Sequence, residues 1–200
     1  MRVAPRFRAL LASFDLAEFE REASTIYGLW PDTRIAYFNV AYLRFAEEGG
    51  APGLLARFGL GARVADTVPP LLAPSFGRLI ARARAADEPV THEYECHSPA
   101  LHRRYQQRLL PLGRGAGLLC VHSLIVARPH DDPRPADEAP YRGAHDIIVQ
   151  CAHCRRVRRV GEPRQWDLVP DFVANVPERT SHGLCEACLG YYFPVDSPTG

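Results

Sequence analysis

Apolar residues recur at helical spacing behind a capping signal early in the chain: Asp15-Leu16-Ala17-Glu18 reads as a capping-box start, with Leu16, Phe19 and Ala23 following on one side. This predicts an amphipathic helix of about two to three turns within an N-terminal segment spanning 1–23. The pattern then changes. Ile26 to Trp30 and Arg34 to Phe38 are rich in β-branched and aromatic residues, and Pro31-Asp32-Thr33 between them is turn chemistry, which predicts a hairpin. Asn39 is placed to cap a helix through Ala46 that carries Val40, Leu43 and Phe45. Residues 47–72, rich in Gly and Pro, read as short helices and loops. Phe76, Leu79, Ile80 and Ala83 keep the i, i+3, i+4, i+7 spacing of an amphipathic helix across "SFGRLIARARAA". Strand patterns follow at Val90 to His97, Arg104 to Leu112 and Gly117 to Val126. Two strands, several helices and three strands predict an α+β domain, an antiparallel five-stranded sheet with helices on one face.

A proline-rich, charged stretch without periodicity, 129–147, reads as a linker. Beyond it Cys151-x-x-Cys154 is answered by Cys185-x-x-Cys188, with 30 residues between the pairs. Two CxxC pairs are the soft, tetrahedral donor set that zinc prefers, ahead of an iron–sulfur cluster. The gap exceeds the commonest ribbon spacing, so residues 148–194 are expected to form a small zinc-ribbon-like module with structure between the pairs. Trp166, Leu168, Val169, Phe172 and Val173 supply apolar packing for it, and Gly190 is expected to help the second pair turn back. A shell of four thiolates leaves no open position, which favours a structural ion over a catalytic one. His182 and His153 are close enough in sequence to hydrogen-bond a thiolate.

The hairpin, the asparagine-capped helix and the later strands, "STIYGLWPDTRIAYFN" and "EYECHSPALHRRYQQRLLPL…GLLCVHSLIV", resemble a PAS domain, covering 24–128. The resemblance implies a sensory or dimerising module, with Asp15's helix as a homodimer contact. The tail resembles a cysteine-rich segment found after PAS domains in bacterial signalling proteins, through Cys151-Ala152-His153-Cys154-Arg155-Arg156-Val157-Arg158, Trp166, Ser181-His182-Gly183-Leu184-Cys185-Glu186-Ala187-Cys188 and Phe193-Pro194. Glu186 departs from it, standing where that tail usually shows proline.

Composition adds exclusions. Net charge is +1, and all 24 basic residues are arginine. No global charge draws the chain to nucleic acid or membrane. Arg155, Arg156, Arg158 and Arg159 read as charge balance for thiolates, with phosphate contact by a zinc-ribbon DNA-binding regulator as the competing reading. No apolar run of about 18 residues spans a membrane, and the first residues lack a cleavage site, so a cytoplasmic protein with reduced thiols is expected. Phosphate-loop, dinucleotide, nucleophile-elbow and HExxH patterns are absent, so no enzyme is expected. The expectation is therefore a non-enzymatic module with an unidentified signalling partner; a redox sensor using the CxxC pairs is the alternative.

The PAS resemblance implies a ligand cavity, for which Tyr27, Phe38, Phe45, Tyr94, Cys96, Cys120 and His122 are the candidates; plain core filling is at least as good a reading of the same residues. Cys96, Cys120 and His122 form a conceivable second metal set, against which stands the ordinary use of small cysteines as core residues.

Overall fold

A computed structural model describes residues 2–48 and 58–193. The chain divides into two units, residues 1–94 with 105–124 and residues 95–104 with 125–200.

In the first unit β1 (Thr25–Leu29) and β2 (Ile35–Phe38) form the expected hairpin, with a register shift at Gly28/Leu29. β3 (Val90–Glu95), β4 (Leu101–Leu112) and β5 (Gly117–Pro129) complete a five-stranded sheet in the order β2-β1-β5-β4-β3. β1 pairs antiparallel with β5, setting Tyr27 opposite Cys120 and Thr25 opposite His122. The outer ends of β3, β4 and β5 belong to the second unit.

β1 and β2 are buried at nearly every position because both sheet faces are covered. On one face, the helices expected from periodicity, α3 (Val40–Glu48) and α4 (Ala73–Ala85), pack Tyr42, Leu43, Phe76, Leu79 and Ile80 against Tyr27, Leu29, Phe38, Leu109 and Leu118. The chain's first residues cover the other face. There α1 (Pro5–Arg8), a 3₁₀ turn and α2 (Leu16–Arg21) pack Phe7, Leu11, Leu16 and Phe19 against Ile26, Ala36 and Leu119. The expected N-terminal helix is thus shorter and broken, although Asp15 caps α2 by accepting from the Ala17 amide at 2.8 Å. Residues 49–57 of the expected loop region lie outside the described residues; 58–72 contain a 3₁₀ turn at Val64–Thr67.

Asn39 does more than cap. Fully buried, it accepts from the amides of Ile26 and Tyr42 at 3.0 and 3.1 Å and donates to the carbonyls of Phe19 and Ser24, both at 2.9 Å. One side chain therefore satisfies the start of α3 and fastens it to β1 and the N-terminal segment.

The second unit has a four-stranded sheet in the order β8-β7-β6-β9, from β6 (Ile148–Cys151), β7 (Val157–Arg158), β8 (Trp166–Asp167) and β9 (Thr180–Gly183). β6 and β9 are parallel, and the crossover between them carries α5 (Pro170–Ala174). α6 (Glu186–Tyr192) follows. Tyr141, Ile148, Val157, Val169 and Phe172 form its core. Tyr141 comes from 129–147, the stretch expected as a linker, and its hydroxyl donates to Asp167 at 3.0 Å. A lone buried aromatic with a buried carboxylate partner escapes any search for periodicity.

Candidate metal centre and ligand cavity

The two cysteine pairs converge. The four Sγ atoms lie within 4.8 Å of one another, and Sγ of Cys154 is 3.7 Å from Sγ of Cys185. Zinc–thiolate bonds of about 2.3 Å set the edge of a regular S₄ tetrahedron at about 3.8 Å, so the group has the right size for such an ion. Local backbone builds each half. Cys151 ends β6, and the chain turns at once through Arg155, whose φ of 65° is left-handed; the Cys151 amide then donates to the Arg156 carbonyl at 2.8 Å. Cys185 is the N-cap residue of α6, and Cys188 follows within the first turn.

All four cysteines are buried, with Trp166, Leu184 and Tyr192 against them. Of the apolar residues expected over the metal, Trp166 is there, whereas Val169 and Phe172 belong to the adjacent core. Hydrogen bonds from Cys154, Cys185 and Cys188 pull the Cys151 thiol far down, and the same crowding drives Cys188 far up. Four thiolates cannot share this volume without a cation.

His153 fulfils the neighbour role, with Nδ1 3.6 Å from Cys188 Sγ and its ring edge-on to Tyr192 at 4.8 Å. His182 is exposed on β9. Gly190, expected at a turn, instead lies inside α6 without a positive φ; the left-handed residue is Arg155, in the first pair. Glu186 is the first residue of α6, where proline and an acidic residue are both at home, the acid because it faces the positive end of the helix dipole. Pro194 lies outside the described residues.

The arginine run is not one cationic face. Arg156 lies beside the thiols and pairs with Glu95 at 3.3 Å; Arg159 pairs with Asp167 at 2.7 Å.

In the first unit a cavity of about 230 Å³ is lined by Tyr27, Tyr42, Phe45, Phe58, Tyr94, Tyr105 and His122, with Thr25, Val64 and Thr67 completing the wall. Tyr27, Phe45, Tyr94 and His122 are where the sequence placed them. Phe38 is instead buried core, stacked on Tyr42, and Cys120 is fully buried with its thiol pushed up to about 12 by burial. Cys96, Cys120 and His122 are not among the groups of possible metal ligands found in the described residues. Tyr42 and Tyr105 are additions to the expected lining: Tyr42 stands between Val40 and Leu43, the positions that carry α3's apolar pattern, and Tyr105 sits in an Arg- and Gln-rich strand.

His122 organises the cavity wall. Its Nδ1 is 2.7 Å from the Tyr94 hydroxyl; its Nε2 is 3.0 Å from the Tyr27 hydroxyl and 3.1 Å from Gln107 Nε2. An amide nitrogen only donates, so with Gln107 as placed Nε2 accepts and Nδ1 carries the proton. Burial, then His92, lowers the imidazole to about 4 from its ordinary 6.5. A neutral folded form and a charged unfolded form below 6.5 mean that the unfolded chain binds more protons between 4 and 6.5. Stability is therefore intact above pH 6.5 and falls as pH drops toward 4, by up to about 3 kcal/mol. Urea midpoints at pH 7 and pH 5 should differ more in the native chain than in His122→Phe; equal differences would contradict this.

No family model matches the chain, and no curated relative does. Solved structures are similar in fold only. The PAS domain of Bordetella pertussis BvgS is 19% identical with a TM-score of 0.42, covering 56% of this chain and 84% of that one. A phage VqmA-DPO complex is 19% identical, TM-score 0.43, covering 60% and 54%. The photoactive yellow protein domain of the sensor histidine kinase Ppr from Rhodospirillum centenum is 14% identical, TM-score 0.37, covering 56% and 95%. The antiparallel five-stranded sheet and the four-cysteine cluster expected from the sequence are both present. Among the described residues no helix is long and apolar enough to cross a membrane.

Proposed function

We propose that this chain is a non-enzymatic signalling module, in which a PAS-like unit takes a small, largely apolar aromatic molecule and the four cysteines hold one structural zinc ion. The observation that carries the sensory reading is the cavity: a volume of about 230 Å³ walled by tyrosines and phenylalanines, with one polar corner at His122. Aromatic walls reward a flat apolar ligand, and the Tyr27–His122–Tyr94 group supplies a donor and acceptor to orient it. The zinc reading rests on the thiol spacing and the closed donor set. Cys151, Cys154, Cys185 and Cys188 would bind the ion, which would supply cross-linking of two chain segments rather than a reactive centre.

Homodimerisation and a cytoplasmic location belong to this proposal. Leu16 and Phe19, the apolar side chains of the helix expected as the dimer contact, pack on the chain's own sheet, so pairing would use the outer side of that segment. Light scattering at micromolar concentration checks it: a mass of two chains is expected, and a mass of one counts against it.

The cavity is tested with a panel of small aromatic heterocycles in thermal-shift assays. Ligands that raise the melting temperature of the native chain should lose most of that effect in His122→Phe. A panel without effect, or an effect equal in the variant, would overturn the sensory assignment.

A further inference from the structure

The turn between β3 and β4 assembles a second group of ligand atoms. Hydrogen bonds donated by the Cys96 amide to the Arg103 carbonyl at 3.1 Å and by the Ser98 amide to the Leu101 carbonyl at 3.0 Å set the register, which places His97 directly opposite His102. Glu95 lies two residues before His97 and so projects to the same side. One donor atom from each of Glu95, His97 and His102 lies within 4.8 Å of the others, and the two imidazole rings are 4.7 Å apart. All three residues belong to the second unit.

His97 shows that this is more than a chance grouping. Its side chain is fully buried, and its Nε2, 3.1 Å from a Glu95 oxygen but off the line of a hydrogen bond, has no hydrogen-bond partner. A ring nitrogen buried without a hydrogen bond is costly unless something satisfies it. Glu95 is a third exposed, which leaves a path from solvent.

We propose that Glu95, His97 and His102 bind an exchangeable divalent first-row transition ion, of the Zn²⁺ or Ni²⁺ kind, at a site separate from the four thiols. Two imidazole nitrogens and one carboxylate oxygen suit these borderline ions better than Ca²⁺ or Mg²⁺, which take oxygen shells. Three protein donors leave at least one position for water, unlike the closed thiolate set. His97 coordinates through Nε2 with its proton on Nδ1, giving up the long 3.4 Å contact from the Arg103 amide. Arg156 holds Oε2 of Glu95, the oxygen that also faces His97 Nε2, and the ion would take that oxygen's second lone pair or Oε1. His130 forms a wall: its Nε2 is 2.9 Å from the Ser98 carbonyl and its ring stands edge-on to His97 at 5.7 Å.

The test uses the full chain, washed with a mild chelator and then titrated with Zn²⁺ by calorimetry. A second equivalent is expected to bind, weaker than the ion retained by the thiols. His102→Gln, at a partly exposed position that leaves the core untouched, should weaken that equivalent by about tenfold or more without changing the retained metal. His145→Asn, at an exposed histidine outside this group, should leave it within about threefold, and a comparable loss there would overturn the assignment. Absence of a second equivalent, or one that His102→Gln leaves unchanged, overturns the assignment; the latter would place the ion on unrelated surface histidines. The thiol site is read separately through the retained metal, so either site can fail without the other.

Discussion

Cys185→Ser is expected to unfold the second unit outright. Its cores are small: five side chains around Tyr141 and Phe172, and the cysteines themselves with Trp166, Leu184 and Tyr192. Burial on that scale does little more than offset conformational entropy, whereas a structural zinc contributes on the order of 10 kcal/mol to folding. Removing one ligand opens the shell and uncouples the pair on β6 from the pair at α6. Chelation of the native chain should act in the same way. Trp166 reports it, since the only other tryptophan, Trp30, lies in the first unit and can be replaced by Phe. A red-shifted Trp166 emission and rapid proteolysis after residue 129 are expected; an unchanged spectrum in Cys185→Ser would refute the structural role.

The second large effect comes from Phe7, which sits against two glycines. Its buried ring lies where a side chain on β1 or β5 would be: a Cβ added to Gly28 would fall 2.3 Å from Phe7 Cε1, and one added to Gly117 would fall 2.8 Å from Cε2. Trp30 closes the socket, edge-on at 4.9 Å. Phe7→Ala should cost about 3–5 kcal/mol through lost burial and the cavity left behind. Gly28→Ala should destabilise comparably, because the ring must leave its slot. Phe7→Ala removes the clash that Gly28→Ala creates, so the double variant should be markedly less destabilised than the sum of the single ones. Additive losses in urea melts would show that Phe7 and Gly28 do not share the socket.

The socket also shows what the sequence could not reveal. Periodicity found α3, α4 and the strands because each repeats an apolar position, and Asn39 was legible because capping is local. The covered outer face was not legible: it depends on two glycines 89 positions apart and on a phenylalanine outside any regular pattern. Spacing alone marked the four cysteines, since a CxxC pair constrains its own geometry. The partition of Trp166 to the thiols and of Val169 and Phe172 to the neighbouring core needed three-dimensional information, as did the left-handed turn at Arg155. Glu95, His97 and His102 escaped attention because the hairpin register, not the sequence, sets the two histidines face to face. In the cavity, Tyr94 stands where the sequence placed it, but Cys96 lies past the point where β3 leaves the first unit.

The most direct measurement is metal content per chain, with an absorption spectrum, on protein purified without added metal and washed with a mild chelator. One retained zinc ion and no visible bands are predicted, with five thiols, the four ligands and the buried Cys120, that become titratable only on denaturation. Iron with visible charge-transfer bands, or a metal-free chain that keeps its fold with paired disulfides, would contradict the structural zinc centre.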